Sequence, residues 1–349
     1  MSRKPTLRDV SRASGLSTYT VSRALSSGEG VSPASREAVL KAAREVGYVP
    51  NAAAQQLRKN TRSNVAVITA STSNHYYLEL MRGIEATLRR SGRTSVVADI
   101  AAEGHYSEAF EDATVQNLIQ SRTAGVIATL TLQQRNVDLL HDWDVPVVFV
   151  DAAPPEEARA VPSITTDNEA ASQAVGDHLA EHGYDDWALL AYPPRWSTRV
   201  PREAGLRIAA RRHGARLTVI ESENDVDSAV AALSAHLDGG PAPRAVVAGN
   251  NPLLQAALRE LRARGLRVPD DVAVIAFDEF PWAALLDPPL TVLDEHSESI
   301  GVLAAQTLTR LIDAQVAAEA AGRSIAPAYR AEDRREVAFE LVVRRSCGC

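Results

Sequence analysis

Apolar residues recur at helical spacing through the first fifty positions and in strand-length runs after that. Leu7, Val10 and Ala13 share one face of a short helix opened by Thr6, with Asp9 three positions on as capping-box partner. Gly15 suits a left-handed turn, and Ser17 caps a second helix, Thr18 to Leu25, whose Val21 and Leu25 face inward. Ser32-Pro33 starts a third helix that ends at Val46 before Gly47, with Val39, Ala43 and Val46 closing a small core. Two helices joined by a tight glycine turn predict a helix-turn-helix, whose second helix can enter the major groove of B-DNA. On its outer side Thr18, Tyr19, Ser22 and Arg23 are candidates to read base edges or hold phosphates, Arg23 by a two-pronged hydrogen bond.

From Val65 onward short β-rich runs alternate with helical stretches: Val65–Ala70, Ser95–Ala98, Gly125–Ala128, Val145–Val150, Trp187–Ala191, Ala245–Ala248, Val272–Ala276 and Phe339–Val343. This alternation predicts parallel sheets, and a run of about 280 residues suits two doubly wound lobes rather than one. The expected fold class is therefore α/β, with a three-helix helix-turn-helix leading into two parallel-sheet lobes. The expected domains are 1–48, a connecting segment of 49–63, which the resemblance given below implies is a hinge helix and linker, and a large domain of 64–349. Within the large domain the first lobe takes about 64–163 plus 293–326, and the second about 164–292 plus 327–345. Ligands of such folds bind beyond the carboxyl ends of the strands. Those positions carry Ser71–Tyr77, Asp99, Thr129, Asp151, Tyr192, Gly249-Asn250 and Phe277-Asp278, so polar groups recur where a crevice should lie.

Charge sharpens the division. The chain has 349 residues and net charge −7, yet residues 1–62 carry eleven Lys or Arg against four Asp or Glu, a net +7 that leaves −14 for the rest. A basic module on an acidic body is what phosphate neutralisation requires. The 45% hydrophobic content suffices for more than one core, no apolar run is long enough to span a bilayer, and the polar start does not read as a signal peptide; a cytoplasmic protein with no membrane partner is expected. Cys347 and Cys349, one glycine apart, are read as free thiols on a mobile tail, because no further ligands stand nearby in sequence for a metal or redox tip. There is no Walker loop, no G-x-G-x-x-G after a strand, no H-E-x-x-H and no nucleophile elbow, and His75, His105, His141 and His178 lack metal-ligand spacing. No catalytic residue, metal or cofactor is expected.

The segments Leu7-Arg8-Asp9-Val10, Ala13-Ser14-Gly15-Leu16-Ser17, Thr20-Val21-Ser22-Arg23-Ala24-Leu25, Val31-Ser32 and Gly47-Tyr48-Val49-Pro50-Asn51 together resemble the lactose-repressor (LacI/GalR) family of bacterial transcriptional regulators. The resemblance continues through Val145-Pro146-Val147-Val148, Gly265 to Val272, Phe277-Asp278, Pro288-Pro289-Leu290-Thr291 and Leu341-Val342-Val343-Arg344, and so covers nearly the whole chain. It implies a large domain like the periplasmic sugar-binding proteins. It also implies that Thr18, Tyr19 and Arg23 read bases, with Thr6, Ser17, Thr20 and Ser22 also at the DNA. Asn51, Ala54, Gln55, Leu57 and Arg58 would belong to a hinge helix in the minor groove, where Leu57 wedges between base steps. That alanine-rich stretch is too short to be a stable helix alone, so its folding should depend on a partner.

By position, Asp151, Arg202, Asn250 and Asp278 match the family's ligand contacts. Their chemistry suits vicinal hydroxyls, since carboxylates accept, Arg donates in a fork and Asn does both. Asn74, Tyr76, Tyr77 and Trp196 complete the candidate effector set, the aromatics as flat walls for a sugar face; Trp282 is divided between wall and core. The expectation is a repressor that binds a pseudo-palindromic operator as a homodimer under allosteric control by a mono- or oligosaccharide. A purine-type corepressor is the alternative. A sugar-binding transport protein would share the large core but would need export and no basic module.

Overall fold

The computed structural model describes residues 4–26, 30–49, 62, 64–69, 74–100, 106–323 and 327–349. The chain divides into two units, Met1–Ser63 and Asn64–Cys349. Among the described residues, three helices build the first: α1 (Leu7–Ser14), α2 (Thr18–Leu25) and α3 (Pro33–Val46). Their ends are fixed by local chemistry. The Thr6 N–H and hydroxyl both donate to Asp9 Oδ2, at 2.8 and 2.6 Å. Ser17 Oγ accepts from the Thr20 N–H at 3.1 Å and Ser32 Oγ from the Ser35 N–H at 3.2 Å. Gly15 and Gly47, both at φ 68°, turn the chain out of α1 and α3 through a region that disfavours a Cβ. Val10, Val21, Ala24, Val39, Ala42 and Ala43 form the core, with Leu7, Leu16, Leu25, Val31, Val46 and Tyr48 at its rim. Ala13, expected inward from its spacing, is exposed; Leu16 in the turn packs on the core instead.

The second unit contains two six-stranded sheets. The first comprises β1 (Asn64–Thr69), β2 (Thr94–Asp99), β3 (Gly125–Ala128), β4 (Val147–Val150), β5 (Ser163–Thr166) and β11 (Arg335–Val337), parallel in the order β11-β5-β4-β3-β1-β2. The second comprises β6 (Asp186–Ala191), β7 (Arg216–Glu221), β8 (Ala245–Ala248), β9 (Ala273–Phe277), β10 (Thr291–Asp294) and β12 (Glu340–Val342), in the order β12-β10-β9-β8-β6-β7, with β12 antiparallel to β10.

Both faces of each sheet are covered, which is why the strands are apolar at successive positions. On β1, Val65 and Val67 pack toward α4 (His75–Arg90) and α11 (Ser297–Ala320), while Ala66 and Ile68 pack on the side of α5 (Glu108–Gln120) and α6 (Gln134–Asp142). On β6, Trp187 and Leu189 face α7 (Asn168–Glu181) and α8 (Arg199–His213), while Ala188 and Leu190 face α9 (Val226–Asp238) and α10 (Asn251–Ala263). The α4–α11 crossing needs glycine on both helices. A Cβ on Gly83 would lie 2.1 Å from Glu298 O, and one on Gly301 2.2 Å from Leu80 O.

Four strands went unread in the sequence: β5, β7, β10 and β11. β5 is Ser-Ile-Thr-Thr, β10 follows a Pro-Pro pair, and β7 and β11 are edge-side strands carrying Arg and Glu, so none shows a long apolar run. The lobe boundaries shift accordingly. The chain crosses between sheets after β5, after β10 and after β11, so Arg335–Val337, expected in the second lobe, belongs to the first. The C-terminal residues are not a mobile tail. Ser346 and Cys347 are fully buried, the Ser346 hydroxyl donating to Val274 O at 2.6 Å and accepting from the Thr291 N–H at 2.8 Å.

Candidate functional sites: an exposed helix face and a buried cleft

In the first unit the candidate residues cluster on α2. Thr18 and Tyr19 are exposed, Tyr19 to 69%, and Arg23 is half-buried. Arg23 is braced: its Nη1–H donates to Tyr19 Oη at 3.1 Å and its guanidinium lies 5.7 Å from the Tyr19 ring centre. Gly30, at φ 68°, leaves room for it, since a Cβ there would approach Arg23 Nη2 to 2.9 Å. The hydroxyls of Ser17 and Thr20 lie 2.9 Å apart, and Thr6 is engaged with Asp9, so these three side chains set the helix ends. Ser22 is half-buried on the same helix. Asn51, Ala54, Gln55, Leu57 and Arg58 lie outside the described residues.

In the second unit all eight candidates of the large domain, Asn74, Tyr76, Tyr77, Asp151, Trp196, Arg202, Asn250 and Asp278, line one cleft. Its cavity volume is about 30 Å³, room for a water or two, so the lining side chains stand closed on one another and must part to admit a ligand. The topology explains the convergence. The strand order of each sheet reverses beside β1 and β6, and a crevice opens beyond the carboxyl ends of the flanking strands. Thr129 follows β3, Asp151 follows β4, Tyr192 follows β6 and Asp278 follows β9, and all four line the cleft. Asp151 and Asp278 sit at φ 50° and 72°, a left-handed conformation that short polar side chains tolerate and that aims them off the strand line.

Arg202 organises one wall. It is 3% exposed and lies 4.1 Å over the Phe277 ring; its Nε–H donates to Asn168 Oδ1 at 2.6 Å, Nη1–H to Gly249 O at 2.6 Å and Nη2–H to Glu295 Oε1 at 2.7 Å. Burial opposes its charge, but Glu295 foremost outweighs this and raises its pKa further. Glu295, 1% exposed, is pushed well above the usual carboxylate range by burial, against the pull of Arg202. Burial likewise raises Asp151 to about 7, with Arg202 opposing and Asp278 adding to the shift. The Tyr76 and Tyr77 phenols are raised, again first by burial.

Among the described residues, three hydrogen bonds cross from the first-sheet side to the second: Asn74 Nδ2 to Asp278 Oδ2 at 3.4 Å, Asn251 Nδ2 to Asn74 Oδ1 at 3.3 Å, and Ala153 N to Ser197 Oγ at 3.0 Å. Asn74 and Asn250 also cap α4 and α10, which fixes their rotamers. Asn250 Nδ2 donates to Asn224 Oδ1 at 2.7 Å, and the hydroxyls of Tyr192 and Thr198 lie 2.7 Å apart. Among the lining atoms, Tyr76 Oη, Trp196 Nε1 and Asp151 Oδ1 are buried without a hydrogen-bond partner. Tyr76 and Tyr77 stand edge to face at 5.3 Å. Trp282 does not line the cleft; it is half exposed and stacks with His75 and Phe280.

Glu295, Asn224, Ser197 and Thr198 were missed from sequence. Glu295 had a signal, its place after a strand, but that strand is β10. Tyr192 and Thr129 stood out at strand ends without being counted among the binding residues.

Comparison with known proteins bears on both sites. Residues 6–51 match the family model of bacterial regulatory proteins, lacI family, and residues 176–347 that of the periplasmic binding protein-like domain. The chain is 30% identical over 309 residues to the transcriptional regulator CelR of Thermobifida fusca, covering 86% of this chain and 89% of CelR. It is 27% identical to the transcriptional repressor PurR of Vibrio atlanticus, covering 88% and 92%. Among solved structures, that of a CelR–cellobiose complex is similar with TM-score 0.69 at 29% identity, covering 98% of this chain and 100% of that one.

Proposed function

This chain belongs to the lacI family of bacterial regulatory proteins, DNA-binding transcriptional repressors rather than enzymes, and we propose that a mono- or oligosaccharide in its cleft sets the affinity of a homodimer for a pseudo-palindromic operator. The observation that carries the reading is the set of buried, unpartnered groups in the cleft. Tyr76 Oη and Trp196 Nε1 offer donors and Asp151 Oδ1 an acceptor, and leaving such groups unpaired costs about 1–3 kcal/mol each. A polyhydroxylated ligand satisfies donors and acceptors at once, and the aromatic side chains cover its apolar ring faces. CelR, with cellobiose bound in its solved structure, supports a sugar.

A purine is the second reading. A flat base favours two parallel ring faces, whereas Tyr76 and Tyr77 are at 87° to each other. On the first lobe Leu78 of α4, Phe110 of α5, and Val96 and Val97 of the edge strand β2 are exposed, apolar surface that a second copy would cover. A two-fold dimer would present two copies of α2 to two half-sites, with Thr18, Tyr19 and Arg23 at the bases. Ligand contacts that favour one lobe arrangement over another would shift the population that binds DNA, acting through residues 49–63.

A thermal-shift screen with cellobiose, glucose and lactose against adenine, guanine and their nucleosides tests the assignment. A sugar that binds the native state should raise Tm by about 5 °C at 100-fold excess over Kd. A rise with purines alone would transfer the cleft to the second reading.

A further inference from the structure

Four potential metal ligands, two close pairs far apart in sequence, meet beside Gly348. His178 and His182, four positions apart, share one face of α7, and the Cys347-Gly348-Cys349 turn packs against that face. Cys349 Sγ lies 2.9 Å from His182 Nε2, 3.8 Å from His178 Nε2 and 3.1 Å from Cys347 Sγ, and one ligand atom from each residue falls within 4.8 Å of the others. In a tetrahedral zinc site, with bonds of about 2.0–2.3 Å, neighbouring ligand atoms stand about 3.3–3.8 Å apart. The separations of 2.9, 3.1 and 3.8 Å about Cys349 Sγ bracket that range.

The surroundings are built to hold this arrangement. Gly348 adopts φ 93°, and a Cβ there would lie 2.6 Å from Tyr184 Oη, so only glycine lets both cysteines turn toward α7. Cys347 is fully buried beside Thr291 Oγ1 at 3.1 Å, while His182 and Cys349 are exposed and leave an entry path. His178 lacks metal-ligand spacing to His75, His105 and His141, and the fold supplies its partners instead.

We propose that His178, His182, Cys347 and Cys349 form a Cys2His2 site for zinc(II). Two thiolates with two imidazoles select a borderline-soft ion over calcium or magnesium. The residues beside the site hold the starts of β9 and β10, through Val274 and Thr291, whereas the cleft forms at the ends of those strands. The ion therefore fastens the chain end to α7 and stabilises the second lobe; it is not the effector.

The test uses the full chain, reduced and stripped with a chelator, then titrated with zinc(II) against a chromophoric competitor and, separately, with cobalt(II). One ion per chain is expected, with thiolate-to-cobalt charge-transfer bands and the strong visible bands of tetrahedral cobalt. Cys349→Ser and His182→Gln, both at exposed positions, should each weaken zinc at least about 10–100-fold and abolish the Tm rise that zinc gives the parent. Substoichiometric uptake, cobalt spectra without the thiolate bands, or uptake unchanged in both variants would overturn the proposal.

Discussion

The two candidate sites solve opposite problems. On α2 the candidate side chains are exposed or half-buried and lightly held, Tyr19 and Arg23 bracing each other over a core of six small residues. In the cleft they are buried, tied by charged hydrogen bonds, and left with a few unpaired atoms. A polyanion brings its own charge and sheds counterions, so its binder needs reach more than enclosure. A small neutral ligand offers only hydroxyls and ring faces, so its binder must be desolvated and fixed in advance. The same substitution type should therefore cost stability in one place and affinity in the other.

The largest effect should come from Arg202→Ala, which strips three hydrogen bonds and leaves Glu295 without its cation. A loss of about 3–5 kcal/mol in urea unfolding is expected for the large unit, together with loss of ligand response. A loss below about 1 kcal/mol would mean that the network does not organise the wall.

Arg23→Ala should leave unfolding nearly unchanged but lower affinity for the cognate operator by about 1–3 kcal/mol, roughly 5- to 160-fold, and affinity for random duplex by less. Equal losses on both duplexes, measured by fluorescence anisotropy, would reduce Arg23 to a phosphate contact.

The cleft should also carry a pH signature. Asp151 is held at about 7 against an ordinary 3.8, so between those values the folded chain keeps a proton that the unfolded chain gives up. Stability must then fall as pH rises from about 4 to 7, with Glu295 acting in the same direction. Asp151→Asn should flatten that slope by up to one proton; an unaltered slope would place the titration elsewhere.

The smallest effect is Trp196→Phe, which keeps a ring but removes the Nε1 donor. A loss of about 1 kcal/mol in sugar affinity by calorimetry, roughly fivefold, is expected, without change in operator binding by the ligand-free protein.

Legibility in the sequence followed the range of the interactions. The helices of the first unit could be bounded almost to the residue because Thr6, Gly15, Ser17, Ser32-Pro33 and Gly47 act within a few positions of themselves. Cleft residues such as Asp151, Asn250 and Asp278 were legible because they follow apolar strands. Glu295 was not, because its short strand follows Pro288-Pro289 and is recognisable only once paired to β9. The His178–Cys349 cluster closes over 171 residues, and its local traces, two histidines four positions apart and two cysteines one glycine apart, do not reveal in the sequence that the pairs meet.

The coupling of cleft to operator is tested most directly by titrating one palindromic duplex with the protein, with and without a saturating sugar found in the thermal-shift screen, beside the Asp151→Asn and Trp196→Phe variants. The sugar should change the operator affinity of the parent protein at least tenfold, a coupling of about 1.4 kcal/mol or more, and the change at the same sugar concentration should shrink in both variants. A sugar that raises Tm yet leaves operator affinity unchanged would contradict the account.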